Sequence, residues 1–166
     1  DRSVFYPTEL DARWMREALR EAALAADRGD VPVGAVVVLD GEVVGSGSNR
    51  CEADADPTAH AEVVAIRRAA QAIGHWHLDG ATLYVTVEPC VMCAGAIWLA
   101  RLQRVVFGVA EPKTGAVRSR HRLLSDGALD RSVVTAGGCL EDEARSLLQA
   151  FFADRRDRDT TSRRDA

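Results

Sequence analysis

No stretch of this sequence approaches the roughly 18 consecutive apolar residues that a membrane-crossing helix requires, which predicts no membrane partner. A large excess of charge of one sign is missing as well. Lys and Arg total 21 against 25 Asp and Glu, a formal net charge of -4 at pH 7, and this balance excludes a protein that grips nucleic acid over its whole surface. Any such contact must be local. Basic groups concentrate only over residues 101–122, where Arg101, Arg104, Lys113, Arg118, Arg120 and Arg122 face Glu111 alone. That segment reads either as a solvated loop or as a bed for phosphates. Cysteine is sparse, with four residues, and two of them form Cys90-Val91-Met92-Cys93. In a reducing compartment this spacing points to metal or redox chemistry and not to a disulfide framework. The first stretch, residues 1–13, is too charged for a signal peptide, so a cytoplasmic protein is expected. The chain opens on Asp1 and not on Met, which is read as trimming or an artificial boundary at that end. Internal repeats are absent.

What is present fits one domain: 166 residues, 47% of them hydrophobic, suffice for a single core of ordinary size. Thr8, with Asp11 three residues on, predicts a capped helix that runs to Asp27 with Leu10, Trp14, Ala18, Leu24 and Ala25 at near-helical spacing. Residues 33–39 form a β-branched apolar run, Asp40-Gly41 signals a hairpin, and Val43-Val44 begins a return strand that fades into Gly45-Ser46-Gly47-Ser48. Those glycines are read as strand-end flexibility, because no Lys-Ser or Lys-Thr follows to make a phosphate loop. A helix is expected from Pro57 through Ala70, with Val63, Ile66 and Ala70 inward. Strands follow at 83–87, 105–109 and 131–135, a short apolar helix at 90–99, and a last helix from Leu140 to about Arg156 with Leu147, Leu148, Phe151 and Phe152 on one side. The expected domain covers residues 1–156, and the polar, aperiodic residues 157–166 are expected to be disordered. The alternation predicts a three-layer α/β/α domain on a five-stranded mixed sheet, an antiparallel hairpin first and parallel strands after it.

Cys90 and Cys93 stand at i and i+3 just after Pro89, so both thiols project from the first turn of one helix. The helix dipole there favours thiolate. His60, at the start of another helix, offers an imidazole, and three such donors suit zinc while leaving a position open for water, the mark of a catalytic site. Two other readings stand beside this one. A redox pair would not require the upstream His-Ala-Glu, and a closed structural site would need a fourth ligand from Cys51, Cys139, His75, His77 or His121, leaving Glu62 unexplained.

His60-Ala61-Glu62 followed by Pro89-Cys90-Val91-Met92-Cys93 completes a recognised signature of zinc-dependent base deaminases. Together with Val31-Pro32-Val33-Gly34-Ala35, Asp56-Pro57-Thr58-Ala59, Leu83-Tyr84-Val85-Thr86-Val87-Glu88 and Arg104-Val105-Val106-Phe107-Gly108, it makes the chain resemble the bacterial tRNA adenosine deaminases from about Leu10 to Arg156. The resemblance implies the cytidine-deaminase-like fold, a homodimer, one zinc per chain on His60, Cys90 and Cys93, and Glu62 as proton shuttle. It further implies that the substrate is the wobble adenosine in the anticodon stem-loop of a tRNA, an arginine tRNA in this family. Asn49 is implied as a base contact, and Lys113, Phe151, Phe152, Arg155 and Arg156 as contacts to the anticodon loop. The Ala61 and Cys90 backbone N–H groups are candidate donors to the oxyanion that develops during attack.

Two departures stand out: Arg118-Ser119 replaces the family's Gly-Ser, and Leu129-Asp130 its Asn-His, so the loop over residues 118–130 is atypical. A deaminase of a free base or nucleoside such as guanine or cytosine remains the alternative, and a catalytically silent partner subunit is disfavoured by Glu62. The apolar helix with Ile97, Trp98 and Leu99 predicts an interface between two copies.

Overall fold

Thr8 accepts a hydrogen bond from the Asp11 N–H at 3.3 Å while the Asp11 carboxylate accepts from the Thr8 N–H at 2.9 Å, a reciprocal cap that starts α1 (Glu9–Asp27). The computed structural model describes residues 5–165; the expected domain start at residue 1 and the end of the expected tail at residue 166 lie outside the described residues. After α1 come β1 (Gly34–Leu39), β2 (Glu42–Ser48), the single turn α2 (Cys51–Asp54), α3 (Ala61–Ile73), β3 (Thr82–Val87), α4 (Val91–Leu99), β4 (Arg104–Val109), β5 (Val134–Ala136) and α5 (Glu141–Arg164). The sheet order is β2-β1-β3-β4-β5, with β1 antiparallel to both neighbours and β3-β4-β5 parallel. This is the expected three-layer mixed-sheet domain.

Alternation along the strands sends residues to two separate cores. Ala35, Val37, Leu83, Val85, Val105 and Phe107 pack with α3 and α4 on one face. Val36, Val38, Tyr84 and Val106 pack with Trp14, Met15 and Ala18 of α1 on the other, where Leu10 and Leu24 of α1 stay exposed. α5 joins this second layer through β4 and α1.

Several sequence expectations are corrected. β2 does not fade at Gly45 but runs to Ser48. A Cβ on Gly45 would lie 2.4 Å from the Ala65 carbonyl oxygen, and one on Gly47 2.5 Å from that of Ala61. The glycines therefore admit a helix backbone against a strand, and α3 buries Ala61, Val64, Ala65 and Ala69 while Val63, Ile66 and Ala70 are only half-buried. Pro57 does not start that helix. Asp56 accepts from the Thr58 N–H at 2.8 Å and the Thr58 hydroxyl at 2.7 Å, forming a turn that delays the helix until His60 caps it.

Disorder from Asp157 onward is likewise not what the structure holds: α5 continues to Arg164 as an exposed helix. Once packed turns have nucleated a helix, extending it costs little. The Arg158–Asp154 pair at 3.1 Å and Arg163 and Arg164 at the negative end of the dipole favour the extension. No helix among the described residues is long and apolar enough to cross a membrane.

Candidate active site

The C-terminal ends of β3 and β4 and the first residues of α3 and α4 meet on one side of the sheet. His60 is the N-cap of α3 and Cys90 the N-cap of α4, both in extended backbone conformation, so each side chain stands clear of its helix at the end where backbone N–H groups are unpaired. Cys93 follows one turn on and is fully buried. His60 Nδ1 lies 3.6 Å from Cys90 Sγ and 3.4 Å from Cys93 Sγ, and the three donor atoms fall within 4.8 Å of one another. Among the described residues no other set of three His, Cys, Asp or Glu donors converges this way, so Cys51, Cys139, His75, His77 and His121 do not supply a fourth ligand.

Hydrogen bonding from Cys93, together with the neighbouring His60, pushes the Cys90 thiol down to about 3. The same shared proton pushes Cys93 up, and the contact with Cys90 pushes His60 up. A thiolate, a thiol and an imidazole facing one point are a soft donor set, and they fit a zinc ion, whose charge would favour thiolate at both sulfurs.

Glu62, one residue into α3 from Ala61, is 4% exposed. Burial drives its carboxyl above the usual carboxylate range, against the hydrogen bond with Cys93. It lines a pocket of about 280 Å³ whose floor also includes His60 and Cys90.

The pocket gathers some of the residues expected from sequence and not others. Asn49, Ala61 and Phe152 line it; Lys113, Phe151, Arg155 and Arg156 do not. The Asn49 carboxamide oxygen accepts from the Cys51 N–H at 3.2 Å, so the residue closes an Asx turn into α2 as well as lining the pocket. Lys113 is exposed on the loop after β4. Phe151 packs edge-on against Phe152, with ring centroids 5.3 Å apart, and carries the Arg155 guanidinium 5.3 Å above its ring. Arg155 also lies 3.9 Å from Glu52, while Arg156 points into solvent.

The basic segment over residues 101–122 is not one groove. Arg104 is bound to Asp11 at the opposite end of β4, and Arg101 lies over Trp76. Arg118 donates to the Thr135 carbonyl at 2.9 Å and lies over Phe107, so the atypical arginine is turned onto the sheet. Asp130 accepts from the Trp98 indole at 2.8 Å.

Thr114, which belongs to the Lys113-Thr114-Gly115 turn that the resemblance assigns to the anticodon loop, lines the pocket, and so do Glu88, Glu111 and Leu148, which sequence reasoning missed. Glu88, directly before Pro89-Cys90, was open to notice as a carboxylate at the end of an apolar strand. The others become neighbours only through the fold.

A sequence profile of the MafB19-like deaminases matches residues 10–156. The tRNA-specific adenosine deaminase of Bacillus subtilis is 42% identical over 93% of this chain and 96% of its own length. A solved structure from studies of A-to-I editing by tRNA:A34 deaminases at the wobble position of transfer RNA is 45% identical, covers 82% of this chain and 99% of that one, and superposes with a TM-score of 0.79. The structure of guanine deaminase from Bacillus subtilis is 40% identical but covers 59% of this chain and 63% of that one, with a TM-score of 0.58. The chain belongs to the MafB19-like deaminases and, at this identity and coverage, to the family of the tRNA-specific adenosine deaminases.

Proposed function

We propose that this protein hydrolyses adenosine to inosine and ammonia at the wobble position of a tRNA anticodon, that of an arginine tRNA. The observation that carries the reading is the convergence of the His60, Cys90 and Cys93 donors beside a pocket that His60, Cys90 and the buried Glu62 line. Relatives named for this activity, matching nearly end to end, support the substrate.

His60, Cys90 and Cys93 would hold one zinc per chain, and when bound the metal supplies the Lewis acidity that brings the pKa of water to about 7. Glu62 takes one proton from the attacking water and places it on the ring nitrogen, then takes the second from the hydroxyl newly bonded to the ring carbon and gives it to the departing amine as the C–N bond breaks. Its buried position suits these transfers, because burial narrows the gap between its charged and neutral forms. The Ala61 N–H, at the first position of α3, and the Cys90 N–H are the donors for negative charge developing on oxygen. With its carboxamide oxygen already held by Cys51, Asn49 contributes NH₂ donors toward a base edge.

Phe152, exposed at the pocket edge, stacks a base of the unpaired loop. Lys113, Arg155 and Arg156 serve nearby phosphates and not the base itself. The catalytic unit is a single domain ending near residue 156. Two copies associate in the cytoplasm through α4, whose Val91 and Leu99 are exposed while Ile97 is fully buried.

The test is sequencing of the arginine tRNA anticodon after incubation with the purified protein, beside assays on free guanine, cytosine and adenosine. Inosine at the wobble position is expected. Efficient turnover of a free base with the anticodon left intact would replace this reading by the free-base one.

A further inference from the structure

Glu88 is almost fully buried, yet no cationic side chain pairs with its carboxylate among its hydrogen-bond partners. Backbone amides take that place. Oε1 accepts from the Glu111 N–H at 3.1 Å and from the Ser119 hydroxyl. Oε2 accepts from the N–H groups of Val117 at 3.1 Å, Arg118 at 2.9 Å and Ser119 at 2.9 Å. Burial opposes charge on this group, but the bonds from Ser119, Arg118 and Glu111 outweigh it and hold the carboxyl below the usual range. A run of consecutive amides closing on one anion is a nest, here filled by the protein's own side chain.

The geometry joins two walls of the pocket. On one side Glu88 is continuous with Pro89 and Cys90, and its own N–H is fixed to the Val109 carbonyl at 2.9 Å. On the other, the amides it gathers bracket residues 111–119, the loop that contributes Glu111 and Thr114 to the pocket. The loop closes so tightly that a Cβ on Gly115 would lie 2.4 Å from Glu88 Cδ. The Ala116 N–H also bonds to the Pro89 carbonyl at 2.8 Å, so the loop is seated against the metal-bearing turn itself.

We infer that Glu88 is a positioning residue, whose carboxylate ties residues 111–119 to the turn before α4 and so sets the pocket wall that receives the substrate. The inference rests on the reading of the pocket as the site for an RNA base, and it assigns Glu88 no contact with the reacting atoms. A carboxylate presents about four acceptor positions, and the five donors around Glu88 use both oxygens. Glutamine, with one oxygen replaced by NH₂, cannot serve both groups: either Glu111 and Ser119 Oγ or the three consecutive amides lose their acceptor.

Two full-length, zinc-loaded variants test this from opposite sides. Glu88→Gln alters the anchor; Gly115→Ala leaves it and crowds the carboxylate from the loop. Amide exchange without substrate is expected to accelerate at least about tenfold over residues 111–119 in both, with α1 protected as in the wild type. On an arginine tRNA anticodon stem-loop, KM is expected to rise about tenfold and kcat to fall by less, the pattern of a displaced binding wall. Should Glu88→Gln fail to fold, Gly115→Ala still delivers both readouts. Exchange over 117–119 as slow as in the wild type, or kcat lost at unchanged KM, would overturn the inference. A wild-type enzyme idle on tRNA would sink the substrate reading alone, since the exchange comparison involves no substrate and still decides for or against the tie.

Discussion

Arg104 donates two hydrogen bonds to Asp11, at 2.7 and 3.0 Å, and so locks the start of β4 to the first turn of α1. Tyr84 adds a third at 2.8 Å, and the same carboxylate completes the α1 cap. Burial opposes charge on Asp11, but Arg104, the Thr8 N–H and Tyr84 outweigh it and lower its pKa from the ordinary 3.8. Asp11→Asn removes the buried charge that accepts both Arg104 hydrogen bonds, and we expect a loss of about 3 kcal/mol in denaturant unfolding. A depressed folded pKa means that this stabilisation is complete above the unfolded value of 3.8 and is lost as pH falls from there through the folded value. The gap between the two proteins should therefore be constant above about pH 5 and shrink below pH 4. A gap independent of pH down to 3 would show that the charge on Asp11 does not contribute.

Gly47 faces the Ala61 carbonyl oxygen and the Ala65 nitrogen, at 2.5 and 2.6 Å from where its Cβ would be. Both neighbours are backbone and cannot rotate away, so Gly47→Ala must push α3 off β2. We expect destabilisation of about 1–3 kcal/mol. Activity should fall further than stability explains, because α3 carries His60 and Glu62. Thermal melting together with turnover measured well below the melting point separates the two effects, and a variant with wild-type values in both would refute this packing.

The contrast between Gly47 and Cys90 shows what the sequence makes legible. Cys90, Cys93, His60 and Glu62 obey local spacing rules at two helix starts, and such rules survive folding because a helix turn fixes its own geometry. The Thr8 and Asp11 cap was readable for the same reason. Gly45 and Gly47 looked like a fading strand, since what they make room for lies on α3, and nothing nearby in the chain announces it. Glu88 was missed likewise: its partners stand 23 to 31 residues downstream. Arg101, Arg104, Lys113 and Arg118 join in one basic segment only along the chain, for β4 begins at Arg104, which is bound to Asp11, while Lys113 stands on the loop beyond its end and Arg118 folds back onto Thr135.

Replacing Glu62 by Gln and Cys93 by Ser should separate chemistry from metal holding. Glu62→Gln keeps the shape of a buried side chain and is expected to retain one zinc per chain while turnover drops at least ~100-fold. Cys93→Ser removes a donor from the centre of the cluster, so zinc content and melting temperature should fall together, because metal binding and folding share free energy. Elemental analysis and calorimetry of both proteins decide this. Zinc lost from Glu62→Gln would make Glu62 a ligand, and zinc kept by Cys93→Ser would remove Cys93 from the metal site.

Phe152 offers the sharpest discrimination between an RNA loop and a free base. It is 41% exposed although it lines the pocket, and a large apolar ring left at a pocket edge is available to stack on something larger than the base inside. A free base held in the pocket would leave that ring in water, whereas a neighbouring nucleotide of an unpaired loop would cover it. Base–aromatic stacking is worth about 1–3 kcal/mol, so Phe152→Ala should raise KM on an anticodon stem-loop by roughly 5- to 150-fold. Zinc content and fold should not change, because the ring is exposed at the pocket edge and Phe152 supplies no metal donor. Phe151→Ala should weaken binding less, since Phe151 supports Phe152 edge-on and does not line the pocket. Reversing charge at the exposed Arg156 should act differently again, lowering affinity at low salt and flattening its salt dependence, as expected of a phosphate contact. Titration of a fluorescent stem-loop at two salt concentrations, alongside steady-state deamination, measures all three. If Phe152→Ala matches the wild type on the stem-loop, no nucleotide stacks there and the RNA must be held elsewhere on the surface.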